Sequence, residues 1–266
     1  MRKTEMRNPN TTHIDQMTAA EMVAAIQKEN YNAVAAIDPE LPRIAAAIDA
    51  IYERMQKGGR LFYIGCGTSG RLGILDASEI PPTYGVDGSM VVGIIAGGDG
   101  AIRNAAEGNE DSFESGARDL AVHDLTELDT VVGISAAGGA GYVLGAFDYA
   151  KQVGALTVAI TSNVDCPMIE VADLGIHPDT GAEPITGSTR MKAGSAQKMI
   201  LNMISTSVMV KLGHVYQNLM INLKPMNIKL RHRMITIVSD ITGKSLEESE
   251  ALLEANDFSI RKAIDA

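Results

Sequence analysis

Four short runs of nearly unbroken apolar residues, Leu61–Ile64, Val91–Ala96, Thr130–Ser135 and Leu156–Thr161, constrain this chain more than any other feature. A strand with one wet face alternates polar and apolar side chains, whereas a strand covered on both faces reads as a continuous apolar stretch. Helical stretches separate the runs, near Arg71–Ala77, Ile102–Leu120 and Tyr142–Val153, and a fifth, shorter run follows at Leu174–His177. Strand alternating with helix predicts an α/β fold, a doubly wound, mostly parallel five-stranded sheet flanked by helices. Ligands of such sheets sit outside the carboxyl ends of the strands. The loops beginning at Gly65, Gly97, Ser135 and Ser162 are where a site is expected.

Around this centre the pattern is helical. Thr18 with Glu21 has the form of a capping box, opening a helix with Met22, Ala25 and Ile26 at helical spacing. A second helix is predicted over Pro42–Gln56, before Gly58-Gly59. Residues 1–15 carry no apolar period and read as an arm that clasps a neighbour or frays. A long helix is expected from Ser188 or Thr189 to Leu212, and a small helical module from Pro225, with Ser245 capping Glu248. The chain thus divides into an arm and helix (1–40), an α/β domain (41–222) and a C-terminal helical module (223–266).

Composition narrows the function classes. The net charge is −10 with the acids scattered, which opposes nucleic-acid or anionic-membrane partners. Two cysteines, Cys66 and Cys166, make no disulfide framework, and no run reaches a membrane-spanning length, so a cytoplasmic location is expected. The five histidines share no metal-ligand spacing, so no metal is expected, and no motif for a nucleophilic triad is present.

Two Gly/Ser/Thr elements could hold an anion. The first, Gly65-Cys66-Gly67-Thr68-Ser69-Gly70-Arg71, follows a buried strand and precedes a helix. Glycine lets amides approach an oxyanion, the helix start adds partial positive charge, and Thr68 and Ser69 add hydroxyls. A ligand-free strand-to-helix turn has the same sequence. No Walker lysine follows, and the nearest acid for a dinucleotide fingerprint, Asp87, lies beyond Pro81-Pro82; a monophosphate suits the Thr and Ser better. The second element, Thr186-Gly187-Ser188-Thr189, has Arg190 and Lys192 beside it, and an ordinary N-cap explains the same residues. Glu79, at a helix end just ahead of Pro81-Pro82, opposes the helix dipole, and Glu107-Gly108-Asn109-Glu110-Asp111 forms a second acidic group. Singly these are surface carboxylates; flanking a phosphate pocket they are a general acid and a general base.

Arg7-Asn8-Pro9-Asn10, the block from Gly67 to Glu79, Pro81-Pro82-Thr83-Tyr84-Gly85, Glu107 to Asp111 and Thr186 to Gly194 together resemble the N-acetylmuramic acid 6-phosphate etherases of the sugar isomerase domain superfamily, over nearly the whole chain. The resemblance implies a sugar isomerase domain over 41–222 and cleavage of the D-lactyl ether at C3 of a sugar phosphate, in cell-wall amino sugar recycling, by steps that require no metal, nucleotide or redox cofactor. It implies Glu79 as proton donor to departing lactate and Glu110 as the base at C2, with Glu107 the alternative base and the motif alone favouring Glu110. Gly67, Thr68, Ser69, Gly70, Ser135, Gly138, Ser188, Thr189 and Lys192 are implied to bind the sugar phosphate, in a homodimer with sites near the subunit boundary. A donor near neutral pH needs a raised pKa, which a desolvated helix-end carboxylate would have.

One loop departs from the family. Etherases usually carry Ala-Ser-Gly-Arg-Thr-Pro where this chain has Ala136-Ala137-Gly138-Gly139-Ala140-Gly141, leaving Ser135 the only hydroxyl there. Two lost donors would cost about 1 to 3 kcal/mol each if their phosphate partners stayed unmet. A noncatalytic sugar-phosphate sensor and an aldose–ketose isomerase are the alternatives; lactate release, ketose formation or binding without turnover separates the three.

Overall fold

A computed structural model describes residues 2–104, 108–225 and 227–266. Five parallel strands form its centre: β1 (Leu61–Gly65), β2 (Val91–Ile95), β3 (Thr130–Ile134), β4 (Leu156–Ile160) and β5 (Leu174–Ile176), in the order β2-β1-β3-β4-β5. Each expected strand is present to within a residue or two. Alternate side chains feed two cores, because successive residues of a strand point to opposite faces. Leu61, Tyr63, Val132 and Ile160 face one side, while Phe62, Ile64, Val131 and Ala159 face the other.

The first face is covered by α2 (Leu41–Met55), α3 (Gly67–Tyr84) and α8 (Lys192–Lys211), through Ile44, Ile51, Ile80, Ile200 and Ile204. On the second face lie α5 (Phe113–Ala121), α6 (Gly141–Val153) and α7 (Pro167–Val171), through Leu120, Val143, Phe147 and Met168. Each fully buried side chain of this kind contributes ~1.5 to 3 kcal/mol relative to exposure. The helix expected over Ile102–Leu120 is shorter: α4 (Gly100–Arg103) and α5 are separate elements, and residues 105–107 lie outside the described set.

Helix α3 is longer than expected at both ends. Gly67 to Gly70 form its first turn, with the Gly70 N–H bonded to the Cys66 carbonyl at 3.2 Å. At the other end it runs through Pro81 and Pro82, because Ile80 and Tyr84 are gripped by the core and hold the last turn helical despite the missing donors. Gly85, in the left-handed region, ends it.

Helix α1 (Ala19–Ala35) opens on the Thr18/Glu21 capping box and packs on α8. The arm ahead of it folds back on its own chain instead of fraying. The Asn8 amide donates to the Ala182 carbonyl at 2.9 Å and the Thr11 hydroxyl to the Pro184 carbonyl at 2.8 Å. The hairpin β6 (Val215–Tyr216) and β7 (Leu219–Met220) leads to α9 (Ile228–Thr242), α10 (Leu246–Ala255) and α11 (Ile260–Asp265). These share a third core, built on Met234, Val238, Leu253 and Ile260 and joined by Ile221 and Leu223. Among the described residues no helix is long and apolar enough to cross a membrane.

Candidate active site

The strand order reverses direction between β1 and β3, and that crevice is where an open parallel sheet takes its ligand. A cavity of about 290 Å³ lies there, lined by Cys66, Gly67, Thr68 and Ser69 after β1, and by Ser135, Ala136 and Ala137 after β3. Glu5, Glu110, Gly187 and Thr189 complete it. Larger cavities of about 660 and 440 Å³ lie at the ends of β4 and β5 and beside β2. Size does not choose the small cavity; its place at the β1–β3 crevice and the uncapped start of α3 beside it do.

The amides of Gly67, Thr68 and Ser69 belong to the first turn of α3 and have no intrahelical acceptor, and no side chain caps them. The three residues line the cavity at the positive end of an eighteen-residue helix, where such amides are available to an anion. Gly70 serves packing instead: a Cβ there would stand 2.5 Å from the Gly65 carbonyl oxygen, so only glycine lets α3 start this close to β1. Ser135 accepts the Gly138 N–H on its Oγ at 3.2 Å, which leaves its own hydrogen for a ligand oxygen. The Ser69 hydroxyl donates to Gln197 Oε1 at 2.9 Å, so Ser69 offers the cavity its amide. Gln197, a residue without any motif, is what holds it.

Glu110 reaches the cavity because its backbone is docked on the start of α6. The Tyr142 N–H donates to the Glu110 carbonyl at 2.9 Å, and Gly141 lets the Asp111 carbonyl approach to within 2.6 Å of where a Cβ would be. Glu107, the alternative base, lies outside the described residues.

Other expected site residues are placed elsewhere. Lys192 is buried and paired with Glu29, away from this cavity, so it offers no charge to a ligand there. The α8 amides at Lys192 and Ala193 donate to the buried Glu183 carboxylate at 2.9 and 3.0 Å. That helix start is filled by the protein's own anion, and α8 begins after Met191 instead of at Ser188 or Thr189. Thr189 lines the cavity and Ser188 does not; Gly138 has committed its N–H to Ser135 and also stands outside. Glu79 is exposed and does not line the cavity. It sits twelve residues beyond Gly67, or ~18 Å along the helix at 1.5 Å per residue, so the expected desolvation is not supplied within one chain.

Comparison with known proteins decides the family. Residues 43–151 match the glucokinase regulatory protein N-terminal SIS domain. An N-acetylmuramic acid 6-phosphate etherase of Caldanaerobacter subterraneus is 52% identical over 98% of this chain and 85% of its own length. The etherase of Clostridium beijerinckii is 51% identical over 98% of this chain and 86% of its length. The chain belongs to the N-acetylmuramic acid 6-phosphate etherase family. Solved structures share the fold: a phosphosugar isomerase homologue involved in capsule formation in Bacteroides fragilis has a TM-score of 0.56 at 21% identity, covering 74% of this chain and 94% of that one. A phosphoheptose isomerase from Francisella tularensis has a TM-score of 0.56 at 16% identity, covering 72% and 98%.

Of the residues that line the cavity after β3 only Ser135 carries a hydroxyl, with Ala137 where the resemblance leads to a serine being expected. The loop is still fixed: the Ala136 carbonyl accepts from Thr161 Oγ1 and Asn163 Nδ2, both at 3.1 Å. Among the residues lining the cavity there is no Lys or Arg, so amides and hydroxyls carry the anion-binding capacity. Cys66 lies between this wall and the acids. Burial, reinforced by the charges of Glu110 and Asp111, pushes its thiol up to about 12. It therefore stays protonated and is no nucleophile. At pH 8 on the order of one thiol in 10⁴ is ionised, so iodoacetamide should modify Cys66 far more slowly than a cysteine of the unfolded chain. Equal rates, read by mass spectrometry, would contradict this assignment.

Proposed function

We propose that this chain cleaves the D-lactyl ether of N-acetylmuramic acid 6-phosphate, giving N-acetylglucosamine 6-phosphate and D-lactate, in cell-wall amino sugar recycling in the cytoplasm. The observation that carries the reading is the cavity at the β1–β3 crevice, where free helix-start amides and Ser135 meet the Glu110 carboxylate. The amides take the phosphate. With the ring open, the C1 aldehyde acidifies the C2 hydrogen, and Glu110 removes it. The electron pair forms the C2–C3 double bond while the C3–O bond breaks, and Glu79 protonates the departing lactate oxygen. Water then adds at C3 as a proton returns to C2.

Glu79 reaches this chemistry from a second subunit. Its distance along α3 excludes the cavity of its own chain, and Leu75, four residues earlier on the same helix face, is 49% exposed, an apolar neighbour that a partner would cover. A symmetric homodimer places each Glu79 at the other chain's cavity and supplies the desolvation a general acid needs. In this reading residues 41–222 are the sugar isomerase domain, with the arm before it and the helical module after it.

Turnover in ¹⁸O-labelled water tests the reaction. The label should appear in the C3 hydroxyl of the sugar and not in lactate, because the bond that breaks is on the sugar side. Label in lactate, a ketose without lactate, or binding without turnover each contradicts the proposal.

A further inference from the structure

The cavity contains a carboxylate that the reaction above leaves idle. Glu5 lines it together with Glu110, and Glu5 Oε2 stands 3.3 Å from the position a Cβ on Gly187 would take, which sets the carboxylate against the Thr186–Thr189 turn. The arm that carries it is pinned on both sides. Upstream, the Lys3 N–H donates to Asn163 Oδ1 at 3.0 Å and Asn163 Nδ2 donates to Thr4 Oγ1 at 3.2 Å, with Thr4 fully buried. Downstream, buried Asn8 is bonded to Ala182. Between these anchors Glu5 is exposed and lines the cavity.

We infer that Glu5 is a substrate-binding residue, and that the N-terminal arm is a wall of the active site; the assignment rests on reading the cavity as a sugar-phosphate site. An ionised carboxylate only accepts hydrogen bonds, so Glu5 meets the hydroxyl or acetamido N–H donors of the sugar, not its phosphate. The phosphate goes to the amides of Gly67, Thr68 and Ser69. Glu5 thereby makes the site selective. A sugar phosphate presents donors to the carboxylate, whereas a bare phosphate presents only like charge, and a polar group built to be paired rejects a ligand that leaves it unpaired.

Calorimetric titration of N-acetylglucosamine 6-phosphate and of inorganic phosphate into the wild type, Glu5→Ala and Glu5→Gln tests this. Loss of a hydrogen bond to a charged group should weaken the sugar phosphate by about 10- to 100-fold in Glu5→Ala. Inorganic phosphate should bind that variant as tightly as the wild type or more tightly. Glu5→Gln, which keeps an acceptor oxygen at nearly the same size, should lie between for the sugar phosphate and retains the test where the alanine variant folds poorly. Sugar-phosphate affinity unchanged in both variants, or both ligands weakened in parallel, overturns the inference. The lactate assay on the wild type is independent: selective loss in Glu5→Ala without lactate release by the wild type removes the etherase reaction but keeps Glu5, and lactate release with unchanged variant affinity does the reverse.

Discussion

Glu79→Gln should lower D-lactate release by roughly 10²- to 10⁴-fold while sugar-phosphate binding stays within a few-fold of wild type, the range expected when a general acid is removed and its shape is kept. An alkoxide of lactate is a poor leaving group, so the proton must arrive as the C3–O bond breaks. Glutamine can hydrogen-bond to the same oxygen but cannot protonate it. In the proposed site the phosphate is held elsewhere, by the first turn of α3 and by Ser135, so affinity is not what the substitution attacks. Steady-state kinetics separate the two: the loss belongs in kcat. A loss confined to KM, or normal turnover, would remove Glu79 from the mechanism.

Lys192→Met is expected to destabilise the fold by ~3 to 5 kcal/mol, the usual result of stripping one partner from a buried ion pair. For a chain of this size that lowers the melting temperature by roughly 10 °C. Lys192 and Glu29 are each about 2% exposed on their side chains, and their contact ties α1 to the start of α8. Burial pushes the Glu29 carboxyl up, but hydrogen bonds from Lys192 and Asn10 and the lysine charge outweigh it and hold the group at about 2. The folded value lies below the ordinary 4.5, so the pair's contribution is complete above that pH and is lost as pH falls towards 2. In the variant the carboxylate keeps only neutral donors, Asn10 and Asn32, so acid should destabilise it less than it destabilises the wild type. Thermal unfolding followed at pH 7 and pH 3 checks both statements. Equal melting temperatures at pH 7 would show that the pair is not structural.

The strands were legible because burial on both faces leaves an unmistakable apolar run; Leu61–Gly65 is fully buried from end to end. The candidate anion element at the start of α3 could be picked out for a local reason also, since its glycines, threonine and serine are neighbours in sequence. What the sequence concealed was which donors were already taken. Lys192 resembles a phosphate ligand until Glu29, 163 positions away, is seen to hold it. The start of α8 resembles an anion site until Glu183 is seen to fill it. Pairings of that kind have no period and no spacing. Glu5 was missed for the opposite cause: the arm has no apolar pattern, because its anchors are polar bonds from Thr4, Asn8 and Thr11. The altered loop after β3 keeps its course through the Ala136 carbonyl, which accepts from Thr161 and Asn163, and through the Ser135–Gly138 bond.

The claim on which these expectations depend is that each site joins Glu110 of one chain to Glu79 of another. Mixing inactive Glu79→Gln with inactive Glu110→Gln under conditions that exchange subunits examines it directly. In a twofold-symmetric dimer a mixed pair contains one site with both glutamates and one with neither, so random exchange at equal amounts should restore roughly a quarter of wild-type lactate release. Activity that stays at the level of the separate variants, in a mixture shown to contain mixed dimers, would contradict a shared site.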